Sequence, residues 1–306
     1  MTPIIETEKL TRTFGQTEAV RELSLQIQPG SVYAFLGPNG AGKTTTIKLL
    51  LNLLRPSSGK ARILGVDSSR LGPKELAQIG YVSENQQIPE WMTVAQMLHY
   101  CRPMYPTWDD AFCKKLLKDF NLPEDRKLKN LSRGMKVKAC LVSSLAYRPK
   151  LLVLDEPFSG LDPLVRDEFI RGILELSEQD GWTIFISSHD IDEVERLADW
   201  VGVIQNGHLK LSETTEALQA RFRRMEFTVA SETTALPSSL PPSWLIPEIA
   251  GTNASLVESY YQESVTEAAI TSHFPAATLI TPQAMTLREI FLALAKVSSP
   301  TPPSLP

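Results

Sequence analysis

The stretch Ser31–Leu54, SVYAFLGPNGAGKTTTIKLLLNLL, decides the fold of this chain. Its first part, Ser31–Gly37, is a continuous apolar run that ends in glycine, which is typical of a strand buried on both faces of a sheet. Its last part, Thr44–Leu54, has the spacing of a helix. Because a glycine-rich loop separates the two parts, the stretch predicts a buried strand, a loop and a helix in direct succession.

The loop fits the pattern GxxxxGK[ST], which requires this strand–loop–helix context. Its glycines let the backbone curl so that N–H groups point at phosphate oxygens, and the helix N-terminus adds positive potential. Lys43 then reaches the β- and γ-phosphates, the Thr44 hydroxyl binds Mg²⁺, and Thr45 supplies a hydroxyl near the α-phosphate. The residues predicted to bind ATP here are Gly37, Pro38, Asn39, Gly40, Ala41, Gly42, Lys43, Thr44 and Thr45.

Two carboxylates follow a second buried strand, in LLVLDEP (Leu151–Pro157). Asp155 ends the strand, as expected of an aspartate that holds the water shell of Mg²⁺. Glu156 follows it at the carboxyl end of the strand, where a carboxylate can orient or deprotonate the water that attacks ATP. Without the phosphate loop, two acids that cap a loop would be an equally good interpretation.

Strand and helix patterns alternate through the centre of the chain. The strands Leu151–Asp155 and Trp182–Ser187 are separated by the helical pattern EFIRGILELSEQ, so we expect a parallel sheet with crossover helices. The first thirty residues predict antiparallel strands, with clean alternation over Leu23–Ile27. Asn206-Gly207, between two short apolar runs, predicts a hairpin turn.

Composition and spacing divide the chain into regions. TVAQMLHYC, WDDAFCKKLLKDF and the residues after LSRGM predict a helical insertion at about 85–147, inside a domain of residues 1–220. A small α/β domain at 221–297 follows: MEFTVA predicts a strand, LPSSLPPSW a loop, and TLREIFLALAKV a helix that begins with a capping box of Thr286 and Glu289. The proline-rich tail 298–306 is expected to be disordered.

Bulk properties exclude several classes of protein. The net charge of −4 argues against a protein that coats nucleic acid, which would be basic. Cys101, Cys113 and Cys140 show no CxxC pair and no metal-ligand spacing, which is typical of thiols in a reducing cytoplasm. No apolar run approaches the roughly 20 residues that cross a bilayer, and the N-terminus lacks a signal-peptide pattern. We therefore expect a cytoplasmic protein that can still dock on a membrane protein.

GPNGAGKTT, LSRGM and LLVLDEP, in this order and at this spacing, resemble the ATP-binding subunit of ATP-binding-cassette (ABC) transporters over about residues 4–218. The resemblance implies an α/β fold: a P-loop NTPase (RecA-like) core with an antiparallel β subdomain and a helical subdomain. It also implies two Mg²⁺–ATP held between two such subunits, arranged head to tail. The partners would be a second ATP-binding subunit, identical or a paralogue, and a separate transmembrane permease; no nucleic acid is expected.

The resemblance assigns roles to further residues. Phe14 matches the position of an aromatic ring that stacks on adenine, although by itself it is typical of a buried residue at a strand end. Leu161 and Asp162, in SGLDP, match residues that make contacts across the dimer. His189, in SSHDIDEVE, matches the family's switch histidine near the γ-phosphate, although a lone histidine at a strand end is usually structural.

Glu84 departs from the family pattern, which usually has glutamine there to bind the metal or the attacking water. A glutamate keeps an oxygen ligand for Mg²⁺ but adds a charge and removes an amide donor. The metal ligands implied by the chain are therefore Thr44, Glu84 and Asp155.

LSRGM (Leu131–Met135) departs from the common LSGGQ at Arg133 and Met135. Ser132 and Gly134 are retained, and in the family this motif closes over ATP held by the phosphate loop of the other subunit. By itself, Ser132 would simply N-cap the helix that follows.

The sequence predicts an ATPase subunit, peripheral on the cytoplasmic face of the inner or plasma membrane, with Glu156, His189 and Lys43 as catalytic residues. The exchanges at Arg133 and Met135 resemble those of bacterial cassettes that serve exporters, so we expect export of drugs, antibiotics, peptides or lipids, with import as the alternative direction. We expect the permease to dock beside Glu84, particularly at Asn85–Thr93. The alternative is a non-transport ABC ATPase acting in DNA repair, translation or resistance signalling; long coiled coils, a second cassette and a basic linker are absent from the sequence.

Overall fold

The computed structural model describes residues 2–84, 86–231, 235–237 and 239–298. The chain divides into two compact units, Met1–Ser212 and Glu213–Pro306. This division lies shortly before residue 220, the domain boundary that the change in composition predicts. Apart from Ser298, the tail predicted to be disordered lies outside the described residues.

The strands up to residue 214 are β1 (Ile5–Phe14), β2 (Thr17–Ile27), β3 (Val32–Leu36), β4 (Ser58–Ile63), β5 (Val66–Asp67), β6 (Ile79–Ser83), β7 (Leu151–Asp155), β8 (Thr183–Ser188), β9 (Trp200–Gln205) and β10 (His208–Thr214). The helices are α1 (Lys43–Leu50), α2 (Pro73–Leu76), α3 (Val94–Cys101), α4 (Asp110–Asp119), α5 (Arg133–Leu145) and α6 (Pro163–Asp180).

A mostly parallel sheet forms the centre of the first unit, in the strand order β10-β9-β3-β8-β7-β6. All residues of β3 and β7 are buried, as their continuous apolar runs predict. Leu36 pairs with Ser188, and Asp155 pairs with both Ser187 and Ser83. Because these strands run parallel and in register, the loops that follow them emerge at one edge of the sheet. The predicted parallel sheet is confirmed.

The predicted antiparallel strands form a second sheet, in the order β2-β1-β4-β5. β1 extends to Phe14 and pairs with β2 through several register shifts. The predicted helical insertion is also confirmed, because α3, α4 and α5 lie between β6 and β7.

The predicted hairpin turn joins β9 and β10. Asn206 has φ 51° and Gly207 has φ 80°, and two positive φ angles in succession are what a two-residue turn matching the strand twist requires. The N–H of Gly207 donates to the carbonyl of Ala41 at 3.0 Å. The hairpin is thereby joined to the phosphate loop.

The second unit contains α7 (Thr215–Arg221), β11 (Arg223–Thr228), β12 (Trp244–Ala250), β13 (Asn253–Glu258), α8 (Glu263–His273), β14 (Thr278–Ala284) and α9 (Leu287–Ser298). Its strands form an antiparallel sheet in the order β12-β13-β11-β14, and its core includes Met225, Phe227, Leu256, Ile270 and Phe274. The capping box of α9 is confirmed, since the N–H of Glu289 donates to the Thr286 hydroxyl and the N–H of Thr286 donates to the Glu289 carboxylate.

Candidate functional site

The phosphate loop connects the end of β3 to the start of α1. Gly42 has φ 111°, and a Cβ at this residue would lie 2.3 Å from the carbonyl oxygen of Ala19. At Gly37 a Cβ would lie 2.3 Å from the carbonyl oxygen of Ile204. Both glycines are therefore required by the close approach of another backbone, in addition to the curl that a phosphate cradle needs. The tip of the loop, residues 38–40, is exposed to solvent.

Lys43 is folded back into the loop that precedes it. Its ammonium donates to the carbonyl oxygens of Gly37 at 2.5 Å and of Pro38 at 3.1 Å. It also lies 3.0 Å from Oε1 of Glu156. Since only 4% of Lys43 is exposed, these oxygens compensate a charge that would otherwise be costly to bury.

Glu156 lies between Lys43 and His189. Its Oε2 is 2.7 Å from Nδ1 of His189, so a carboxylate is held between two nitrogen groups. The backbone of Glu156 has φ 52°, an unfavourable angle for a residue with a side chain. The Glu156 N–H donates to the carbonyl and to the hydroxyl of Ser187, at 3.2 and 3.1 Å, which holds this strained backbone in place. The structure thus brings together the predicted catalytic residues Glu156, His189 and Lys43.

Asp155 and Thr44 are adjacent although 111 residues separate them in the chain. The Thr44 hydroxyl donates to Oδ1 of Asp155 at 3.1 Å, and the Ser187 hydroxyl donates to the same oxygen at 2.8 Å. Burial raises the pKa of Asp155 above the ordinary value, while the bonds from Ser187 and Thr44 act in the opposite direction. A hydroxyl and a carboxylate oxygen are the hard donors that fit Mg²⁺, whose shell on a nucleotide is completed by phosphates and water.

Glu84 is engaged by two side chains of its own subunit. Its Oε1 accepts from Nη2 of Arg133 at 2.7 Å and from the Ser159 hydroxyl at 2.7 Å. Its backbone N–H donates to the carbonyl of Asp155 at 3.0 Å, which places Glu84 at the same sheet edge as the predicted catalytic residues. The predicted role of Glu84 as a metal ligand remains a prediction; in this structure the carboxylate is an ion-pair partner.

The LSRGM segment has structural roles within the subunit. The Ser132 hydroxyl accepts from the N–H of Met135 at 3.3 Å, so Ser132 N-caps α5, as its position before a helix predicts. Gly134 is buried, and a Cβ there would lie 2.6 Å from Cγ1 of Val165 on α6. The hydroxyl of Ser132 and the missing side chain of Gly134 therefore both have a structural role within a single subunit. The contact of Ser132 and Gly134 with a nucleotide on a second subunit remains a prediction.

Three other predicted residues lie in contrasting surroundings. Phe14 is 44% exposed at the end of β1, so it is not a buried strand-end residue, and the Arg12 guanidinium lies 4.5 Å from its ring centre. Asp162 accepts from the N–H of Val165 at 3.1 Å and so caps the start of α6. Leu161 is buried within its own subunit.

Sequence analysis missed the polar network around the end of β8. Ser187 donates to the Asp155 carboxylate and accepts from the backbone N–H of Glu156, as described above. Its neighbour Ser188 donates to Oε2 of Glu193 at 2.6 Å, and Oε1 of Glu193 lies 3.3 Å from Nη2 of Arg166. Burial raises the pKa of Glu193, against the effect of Ser188 and Arg166. Two serines at the carboxyl end of an apolar strand, in FISSHD, were the available signal.

None of the helices in the described parts of the chain combines the length and the apolar character needed to cross a membrane.

Comparisons with known proteins point to one family. Residues 20–159 match the family described as ABC transporter. The chain is 33% identical over 230 residues to the bacitracin transport ATP-binding protein BcrA of Enterococcus faecalis, covering 74% of this chain and 75% of that protein. It is 34% identical over 239 residues to BcrA of Bacillus licheniformis, covering 77% and 78%.

Among solved structures, the ATP-binding subunit of an ABC transporter matches with a TM-score of 0.64 at 27% identity, over 71% of this chain and 92% of that one. The expected fold, a P-loop NTPase core with an antiparallel β subdomain, is confirmed by this match. The chain belongs to the ATP-binding proteins of ABC transporters, a family of ATPases that hydrolyse ATP to power transport.

Proposed function

We propose that this ATPase energises a separate membrane permease that exports a drug, an antibiotic, a peptide or a lipid. The observation that carries the enzymatic part is the position of Glu156, whose carboxylate lies between Lys43 and His189 beside the phosphate loop. A general base must be close to the phosphates and aligned by a partner, and the contacts of Glu156 with Lys43 and His189 support this role.

The proposed chemistry begins with Lys43. Its ammonium is bound to two loop carbonyls and forms an ion pair with Glu156. Phosphate oxygens of ATP offer the ammonium a stronger partner than neutral carbonyl oxygens. When Lys43 binds them, the Glu156 carboxylate becomes available to accept a proton from the attacking water.

His189 is the orienting group in this proposal. An ionised carboxylate only accepts hydrogen bonds, so Nδ1 of His189 carries the proton in its contact with Glu156. The other ring nitrogen, Nε2, can donate to the γ-phosphate when the ring carries both protons, because a phosphate oxygen only accepts hydrogen bonds. His189 therefore both holds the base in place and senses whether the terminal phosphate is present.

Thr44 and Asp155 are the residues proposed to hold Mg²⁺, because their adjacent oxygens match its preference. When bound, the metal would neutralise part of the negative charge on the β- and γ-phosphates. The buried carboxylate of Asp155 is suited to this role, since a nearby cation favours its ionised form against the effect of burial.

The proposed assembly contains two ATP-binding subunits, identical or paralogous, arranged head to tail. Ser132 and Gly134 of one subunit would contact ATP on the phosphate loop of the other, and Asp162 would contact the partner near it. Phe14 would stack on adenine, for which its exposed ring at the end of β1 is suited. No nucleic acid takes part.

The proposed place of action is the cytoplasmic face of the inner or plasma membrane, with the permease docked at residues 85–93. Asn85 lies outside the described residues, but Trp91 in the same segment is 69% exposed. A large exposed aromatic ring is a typical anchor of an interface. Export of an antibiotic or a related compound is supported by the two similar proteins named for bacitracin transport.

The test uses a Glu156→Gln variant expressed in its native host, where ATP should trap the closed assembly. Solubilised membranes are then subjected to affinity purification in ATP and, as a control, without nucleotide. Recovery of an integral membrane protein that raises the ATPase rate of the wild-type subunit is the expected result. Recovery of ribosomes or DNA-bound proteins in place of a membrane protein would contradict the transport proposal.

A further inference from the structure

Arg133 reaches across 49 residues of the chain to the carboxylate of Glu84. On its way the guanidinium lies against the backbone of Gly160, where a Cβ would stand 2.6 Å from Nη1 and 2.8 Å from Cζ. Gly160 has φ 66°, so its backbone also favours glycine. The Arg133 side chain therefore packs against the loop that follows Glu156, at a residue where a larger side chain would collide with it.

The Glu84 carboxylate is held by two donors that come from different segments. Arg133 belongs to the start of α5, and Ser159 belongs to the loop before α6, yet both donate to the same oxygen, Oε1. The bond from the Glu84 N–H to the Asp155 carbonyl adds a third connection. Glu84 thus joins LSRGM, the SGLDP loop and the end of β7.

The ion pair is too exposed to serve mainly as a stabilising contact. Arg133 is 50% and Glu84 is 29% exposed at the side chain, and pairs of this kind contribute little to folding. What the two bonds determine is the direction in which the Glu84 carboxylate points. Direction matters here because a third carboxylate near Asp155 and Glu156 would change both the charge and the number of oxygen ligands at the nucleotide.

We propose that Arg133 is a positioning residue that acts through Glu84. The bonds from Arg133 and Ser159 engage Oε1 of Glu84, so this oxygen is not free to bind a Mg²⁺ that Thr44 and Asp155 would hold. This inference rests on the proposed function, in which those two residues bind the metal. Two of the departures from the family motifs, Arg133 and Glu84, are then one paired feature.

The pair also connects the two nucleotide sites of the proposed dimer. Glu84 would serve the ATP on its own phosphate loop, while Ser132 and Gly134, on either side of Arg133, would face the ATP of the partner. Arg133 therefore lies between residues assigned to two different nucleotides.

The test measures Mn²⁺ binding by electron paramagnetic resonance on the full chain, with ADP present and no turnover. Arg133→Ala should bind Mn²⁺ more tightly, by about tenfold, the lower end of effects from residues that orient metal ligands. In a Glu84→Gln background the same change should have almost no effect. An equal gain in Mn²⁺ affinity in the wild-type and Glu84→Gln backgrounds would show that the lost charge acts directly on the metal, which would overturn the inference. No gain in affinity in either background would also overturn it.

Two controls complete the experiment. Arg102→Ala removes an ion pair to Asp110 of the same length, 2.7 Å, with both side chains 54% exposed and outside this site, so Mn²⁺ affinity should not change. Asp155→Asn should lose Mn²⁺ binding. If Asp155→Asn still binds Mn²⁺, the proposed metal site is wrong. If Asp155→Asn loses Mn²⁺ binding but Arg133→Ala binds it as the wild type does, only the inference about Arg133 fails.

Discussion

Oε2 of Glu156 lies 2.7 Å from Nδ1 of His189, although 33 residues separate them in the chain. The contact exists because β7 and β8 are parallel neighbours whose carboxyl ends coincide in register. Glu156 follows the last residue of β7 and His189 follows the last residue of β8. Sheet pairing therefore brings together the proposed base and its proposed orienting group.

Glu156→Gln should retain ATP binding and lose hydrolysis. The amide cannot accept a proton from water, so we expect the turnover rate to fall by about 10²–10⁴-fold, the usual contribution of a general base. Steady-state ATPase rates and binding of a fluorescent ATP analogue measure the two properties separately.

Asp110→Asn is a suitable control for that variant, because Asp110 forms an ion pair with Arg102 at 2.7 Å in which both side chains are exposed to solvent. Its ATPase rate should equal that of the wild type. If Glu156→Gln turns over ATP at a rate within about threefold of wild type, its side chain is not the base, since base catalysis is worth far more.

His189→Ala should lower the turnover number while the KM for ATP changes little. A group that acts on the terminal phosphate during the reaction contributes mainly to the transition state, and its removal typically costs about 10²–10³-fold. His208→Ala, at an exposed position of the hairpin, is the matched histidine control and should be silent. A large rise in KM with an unchanged turnover number would assign His189 to ground-state binding of ATP.

Gly134→Ala should destabilise the subunit. The added methyl would lie 2.6 Å from Cγ1 of Val165, and overpacking of this kind costs about 1–3 kcal/mol. Val165→Ala should restore much of the loss, because the Cβ of residue 165 would be 3.5 Å from the new methyl, an ordinary contact. Urea unfolding of both single variants and the double variant measures the coupling; additive losses would show that Val165 is not the obstacle.

Asp155→Asn should be more stable than the wild type at neutral pH. Burial raises the pKa of Asp155 in the folded chain, so the folded state keeps its proton at pH values where the unfolded state, with a pKa of 3.8, has lost it. Wild-type stability therefore falls as the pH rises from 3.8 through the folded pKa, and the asparagine avoids this loss.

The asparagine oxygen can still accept from Thr44 and Ser187, so these two bonds survive the exchange. Melting temperatures of both proteins without nucleotide and Mg²⁺ should differ at neutral pH and converge as the pH approaches 3.8. A constant difference at all pH values would exclude the titration of Asp155 as its cause.

Much of the second unit escaped prediction for a local reason. β12 contains Pro247 and β14 contains Pro282, and proline in a run of residues normally argues against a strand. Both strands lie at the edges of their sheet, where a missing N–H is tolerated. At β12 the register also shifts between Leu245 and Glu248. Which strand becomes an edge is a property of the assembled sheet.

The sequence by itself determined the features whose signals lie within a few neighbouring residues: the phosphate loop between β3 and α1, the carboxylates at the end of β7, and the turn at Asn206-Gly207. Glycine conformation, apolar runs and strand ends act locally, so these could be predicted from the chain alone. Parallel pairing of the buried strands then placed Glu156 and His189 at one edge.

Only the tertiary structure decided which distant side chains meet. Arg133 and Glu84 each appeared as a separate exception to a motif, and Gly134 appeared to be needed for a partner's nucleotide. The fold pairs Arg133 with Glu84 at 2.7 Å and places Cγ1 of Val165 2.6 Å from where a Cβ on residue 134 would lie. Such contacts depend on how helices and loops are packed against one another, and no pattern of neighbouring residues encodes that distance.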